Sequence, residues 1–293
     1  VNSINYLLTL LTGGILALMV VVNGRLGLFI GLYLSCLVIH FVGLVGSSLW
    51  LSAKKQVPFR HQKIPFHLYL GGFFGVATVL LFNAAYGKIS VTALVALGLL
   101  GQTVSALIVD HFGLLGMKRH PIHIRQTPGL VLAAIGIAVM LKGFSAESII
   151  PVCLALMTGI SVVSSRTING ALGKKTNPSL SAWYNHLFGM IVSFVIWGIM
   201  LFPGGIPFRH ITIDNFWIFT GGFLGVVAVT LSNYLLHHVS SYSLTILMFV
   251  GQIFCSVILD ATLEGTFAPL QLVAGCIIVI GFAINAYMTK AIE

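Results

Sequence analysis

The chain has 293 residues, of which 58% are hydrophobic and 7% charged, with a formal net charge of +9. A soluble domain carries about 25% charged residues to cover its surface, so a soluble globular protein is excluded and lipid must supply most of the solvent. The Lys and Arg residues sit in short breaks between apolar runs, with no basic stripe interleaved with aromatics, which excludes a nucleic-acid partner.

About 20 apolar residues cross a bilayer as a helix, and the chain offers ten such segments in order. The first, 4–23, ends at Asn23-Gly24, contains no Asp or Glu, and is expected to be retained as a span rather than cleaved. The second, 30–52, holds His40. The third, 67–87, opens on Gly-Gly-x-x-Gly-Val and carries Asn83, and the fourth, 91–110, carries Gly101-Gln102 and ends at Asp110. A loop, 111–127, contains HPIH at 120–123, an HxxH spacing off a helix that is not expected to bind metal. Spans at 128–145, 149–168 and 180–202 follow, the last with Trp183, Tyr184, Asn185 and His186. Those at 215–236, 241–260 and 268–288 complete the set, with Asn233, Gln252 and Asp260. Cys36, Cys153, Cys255 and Cys276 lie singly in apolar runs and read as small core hydrophobes. With a cytoplasmic N-terminus, inside segments hold eleven Lys and Arg and outside segments four, so both termini are expected to be cytoplasmic.

The chain also matches itself. Residues 71–110 align without a gap on 221–260 with 15 identities in 40 positions. NGRLG at 23–27 meets NGALG at 169–173, His40 meets His186, and PFRH recurs at 58–61 and 207–210. The pattern predicts two five-helix repeats, 1–146 and 147–293, forming one transmembrane domain. Five crossings are an odd number, so the second copy must run inverted, a plan common among alternating-access carriers.

The N-G-x-L-G, G-G-x-x-G-V and G-Q-x7-D-H-F-G-L-L-G motifs resemble the YdcZ-type branch of the drug/metabolite transporter superfamily, in a fused two-repeat form. The second copy departs after Asp260, where ATLEG replaces HFGLLG. The resemblance implies a ten-helix carrier of the cytoplasmic (inner) membrane of bacterial type. Its central cavity would be built mainly from the first, third and fourth helix of each repeat. It implies movement of a small molecule, often labelled export, and leaves the substrate open.

Intramembrane polar residues face a bundle interior or a cavity. Gln102 and Gln252 are candidates for lining a substrate cavity or for interhelical hydrogen bonding; Gly98 and Ser105 share the face of Gln102. His40 and His186 are expected either to carry protons or substrate, or to hold helices together. Asp110 and Asp260 fall at span ends, where the helix dipole opposes a carboxylate, and are read as structural or gating latches or proton carriers, with Arg119 or Lys118 facing Asp110. Asn23 and Asn169 are candidate helix C-caps or substrate contacts, Asn83 and Asn233 are weighed in the same way, and Trp183 and Tyr184 could hold a cation. Ile39 and Val38 leave the first copy greasier than the second, so a lopsided cavity is expected. No cofactor or metal and no catalytic constellation is implied, and a pseudo-symmetric monomer needs no oligomer. The expected partners are the bilayer, a small neutral, zwitterionic or weakly polar solute, and protons if transport is coupled. The rival classes are a non-transporting subunit that helps assemble or flip a lipid-linked molecule, and an intramembrane enzyme.

Overall fold

A computed structural model describes residues 3–58, 64–117, 119, 127–142, 145–201, 212–235, 238–239, 241–263, 265 and 269–290. Among the described residues ten α-helices run in chain order: α1 (Ser3–Ile30), α2 (Leu32–Ala53), α3 (Gly71–Ala85), α4 (Val91–Phe112), α5 (Thr127–Leu141), α6 (Ile149–Lys175), α7 (Pro178–Leu201), α8 (Gly221–Leu235), α9 (Ser241–Leu263) and α10 (Pro269–Lys290). Short 3-10 turns at Phe66–Leu70 and Ile213–Thr220 lead into α3 and α8. Among the described residues, eight helical segments are long and apolar enough to cross a membrane. The apolar parts of α5 and α10, Thr127–Met140 and Pro269–Asn285, are shorter.

Local chemistry sets several boundaries. The Ser90 hydroxyl accepts the Ala93 N–H at 3.2 Å and starts α4, and Gly113 ends it in the left-handed region, φ 65°. Asn177 Oδ1 accepts the Leu180 N–H at 2.9 Å, with Pro178 at the first position of α7. The Asn-Gly pairs at 23–24 and 169–170 are not C-caps. α1 and α6 continue through them to Ile30 and Lys175, because the asparagine side chains pack against other helices, and tertiary contact overrides local propensity. The break after α1 comes at Gly31, φ 89°.

The helices form two compact units, each drawing on both halves of the sequence. One comprises 19–84 and 161–230, and α2 packs against α7 in it. Cys36 Sγ lies 3.4 Å from Ser193 Oγ, Trp183 Nε1 donates to Ser48 Oγ at 2.8 Å, and Trp50 Nε1 donates to Ser179 Oγ at 3.3 Å. Partners descend α7 as α2 is ascended, so the pair is antiparallel. Gly72 of α3 touches the α7 backbone: a Cβ there would stand 2.6 Å from the Asn185 carbonyl oxygen. Gly222 of α8 meets the Ile39 carbonyl of α2 in the same way. Without a hydrophobic force between helices in lipid, such close backbone approach supplies the packing.

The other unit comprises 1–18, 85–160 and 231–293. α5 and α10 run antiparallel: Gly281 would place a Cβ 2.6 Å from the Ala133 amide, and Gly136 one 2.7 Å from Ile278. α4 and α9 are antiparallel as well, since Asp260 near the end of α9 meets Val91 and Thr92 at the start of α4. Gly101 seats on the Leu156 carbonyl of α6 and Gly251 on the Leu10 carbonyl of α1.

Candidate functional site

Where α2 crosses α7, His40 and His186 face each other with ring centroids 6.0 Å apart and planes at 65°. His40 is 3% exposed, and its Nδ1 lies 3.0 Å from the Cys36 carbonyl, to which a protonated Nδ1 donates. Each ring occupies the space left by the glycine three residues beyond its mate: His40 against Gly189, His186 against Gly43. The repeated His-x-x-Gly thus makes a reciprocal joint. His186 Nδ1 is buried and has no hydrogen-bond partner.

The Gly-Gly-x-x-Gly at the start of α3 lies beside this joint. A Cβ on Gly75 would stand 3.5 Å from Asn185 Oδ1 and 3.6 Å from His40 Nε2. Asn169 Nδ2 donates to Asn185 Oδ1 at 2.8 Å and to Ser165 Oγ at 3.1 Å, and the Ser165 hydroxyl donates to the Gly71 carbonyl at 2.9 Å. Asn169 Oδ1 lies over Gly71 without a hydrogen-bond partner. In the first copy Asn23 Oδ1 lies over Gly221 in the same state. There, however, the alignment puts Met19 where Ser165 stands and Ile39 where Asn185 stands. The Met19 sulfur lies 3.4 Å from where a Cβ of Gly225 would be. The scaffold is repeated; the polar cluster is not.

Other candidates in this unit tie helices together. Asn83 Nδ2 donates to Ser35 Oγ at 3.3 Å and packs on Gly27. Asn233 lies on α8, and its side chain is outside the described ones. Tyr184 is 1% exposed in a core cluster with Leu51, Leu68, Leu172 and Leu180, its ring 5.0 Å from that of Tyr69. Arg166, one of the eleven Lys and Arg expected on the inside, lies within α6 nine residues before Lys175, and its side chain is exposed. A guanidinium in contact with acyl chains costs about 3 kcal/mol or more, so at depth such a group faces water or protein. An apolar groove on the α2·α7 pair, lined by Leu37, Val38, Phe41, Met190 and Phe194, suits acyl chains and not a polar solute.

In the second unit Gln102 and Gln252 are half-buried, and Gln252 Nε2 donates weakly to the Met248 carbonyl at 3.4 Å. Asp260 is 1% exposed. Its Oδ1 accepts the Val91 N–H at 2.7 Å and its Oδ2 the Thr92 N–H at 2.8 Å. Although it sits at the unfavourable end of its own helix, Asp260 caps the positive end of α4 and satisfies two amides that helix geometry leaves open. Asp110 is half-buried near the end of α4. Arg119, expected opposite it, donates through Nε to the His111 carbonyl at 3.1 Å, and Lys118 is outside the described residues. The HPIH stretch is also outside them, and among the described residues no three His, Cys, Asp or Glu converge as metal ligands.

Sequence reasoning passed over Ser165 and Ser193 as sites and treated Asn185 only as a polar neighbour. The signal lay in the alignment of the copies, where Ser165 and Asn185 replace apolar residues, and in the four-residue spacing of Ser165 and Asn169.

Residues 4–139 and 150–284 each match the family described as "Putative inner membrane exporter, YdcZ". The chain belongs to this family. It is a multi-pass inner-membrane transporter containing two successive copies of the YdcZ unit. A solved crystal structure, described only as that of a protein, aligns with a TM-score of 0.60 at 13% identity over 99% of this chain and 97% of its own, a likeness of fold alone. No curated protein matches the sequence. Within the YdcZ unit the glycine motif of the third helix carries the candidate cluster in one copy and apolar contacts in the other.

Proposed function

We propose that this YdcZ-family protein is a ten-span carrier, five plus five helices in inverted repeats with both termini cytoplasmic, that moves a small polar metabolite by alternating access. The observation that carries the reading is the antiparallel pairing of repeat-related helices, α2 with α7, α4 with α9 and α5 with α10. Equivalent spans that run in opposite directions are what an in-plane pseudo-two-fold axis requires, and such an axis lets one sequence unit supply both the inward-open and the outward-open half. Asn185, Asn169 and Ser165 beside the histidine joint supply donors and acceptors in one place, with His186 Nδ1 and Asn169 Oδ1 lacking hydrogen-bond partners. The half-buried amides Gln102 and Gln252 offer further polar groups on α4 and α9.

The test is efflux from proteoliposomes loaded with a mixture of small polar metabolites and read by mass spectrometry. At least one compound should leave faster than from protein-free vesicles. Replacing His40 and His186 by Gln, together with Gln102 and Gln252 by Ala, should abolish that gain. Unchanged efflux from the quadruple variant would remove the carrier site from these residues.

A further inference from the structure

We infer that the solute carries an anionic group, a carboxylate or a phosphate, and that the Arg166 guanidinium binds it; this rests on the carrier reading above. Lys174 and Lys175 mark the charged end of α6, and Arg166 lies eight residues before the first of them, about 12 Å of helical rise. It is exposed there all the same. An intramembrane arginine that is exposed faces a water-filled cavity, because contact with acyl chains is the costly alternative.

Its neighbours fit a bound solute. Asn169, three residues on and on the adjoining face, anchors the amide cluster with Asn185 and Ser165. Gly170, four residues on, is exposed, and nothing lies within 4 Å of where its Cβ would stand, which leaves room beside the guanidinium. Arg25, the other arginine within the unit's described helices, lies on the face of Trp217, 5.5 Å from the ring centroid.

The repeat separates what the fold needs from what it does not. Each copy has its own asparagine (Asn23 or Asn169), glycine pair and histidine (His40 or His186), so the architecture accounts for them. Arg166 aligns with Val20, so the same scaffold closes without a cation. Arg166, Ser165 and Asn185 are what the second copy adds. A planar fork of five donors matches a carboxylate or phosphate through paired hydrogen bonds.

The experiment measures the melting temperature of the full chain in phosphatidylcholine nanodiscs at constant ionic strength. Small carboxylates and phosphate monoesters are compared with their neutral methyl esters. At least one anion should raise the melting temperature by about 3 °C or more while its ester does not. Arg166→Gln should lose the shift, Arg166→Lys should recover part of it, and Arg25→Gln should keep it. Stabilisation by neutral solutes alone, or an anion shift that survives Arg166→Gln, overturns the inference and leaves the carrier reading intact. If phosphatidylglycerol in the disc gives the Arg166-dependent shift and free anions do not, the anion is a lipid headgroup and the solute assignment falls. If no compound of either charge shifts the wild type, the carrier reading falls with it.

Discussion

Around α2 and α7, Gly72 and Gly222 bring backbones into contact, and the polar side chains between them gather on the second-copy side, at Ser165, Asn169 and Asn185. Around α4, α5, α9 and α10, Gly101, Gly251, Gly136 and Gly281 make equally close approaches, but the most buried carboxylate, Asp260, is satisfied by two backbone amides. Glycine does the same work in both units. Polar groups do not: in one unit the carboxylate completes a helix, and in the other the cluster includes Asn169 Oδ1 and His186 Nδ1 without a partner. A saturated polar group contributes to stability, whereas an unsaturated one has capacity left for a ligand.

That contrast can be broken at several points. The largest effect is expected where a side chain must meet backbone. Gly251→Leu and Gly222→Leu would drive a Cβ into the Leu10 and Ile39 carbonyls, and should yield no monodisperse protein on size-exclusion chromatography. Gly198→Leu, in open space, should stay within about 0.5 kcal/mol of wild type. Next, Asp260→Ala leaves two buried amides open and should cost about 2–4 kcal/mol, read as a fall in melting temperature, with a smaller fall for the half-buried Asp110. Equal falls would show the two aspartates to be equivalent.

Asn185→Ile writes the first copy's residue into the second. Efflux should drop at least about tenfold, from an unpaired polar group in the site, while stability changes by less than about 1 kcal/mol. The mirror change Ile39→Asn should affect efflux less; a reversed order would place the working side in the first copy. The smallest effect is expected for Ser193→Ala, which removes the contact with Cys36 and should cost about 0.6 kcal/mol in a thermal melt.

The helical order among the described residues and the repeat were legible because apolar runs and self-similarity survive in one dimension, although the apolar parts of α5 and α10 are shorter than the spans expected there. The helix ends were less so. Asn23-Gly24 and Asn169-Gly170 carry stop signals that are ignored, since Gly221 and Gly71 offer their side chains a place within the bundle. By contrast Gly113 in DHFGLLG ends α4 as its chemistry suggests, with Leu115 and Gly116 also at positive φ. The equivalence of His40 and His186 was visible, and their packing against Gly189 and Gly43 was not, because each notch belongs to another helix. Asp260 could be read as needing a partner, yet that partner is backbone 168 residues away, which no side-chain pattern reveals. Arg166 lay near the end of the span expected at 149–168, whereas the helix runs on to Lys175 and places it well before the last turn.

The sequence by itself determined the solvent, the helical character and the two-copy plan, because burial of apolar surface in lipid and repetition are properties of composition and order. Only the tertiary structure decided which polar residues are saturated and which retain open acceptors. That distinction depends on which helix faces which, and in a chain whose halves share one scaffold, a few residues that differ between the copies mark the side on which the polar cluster forms.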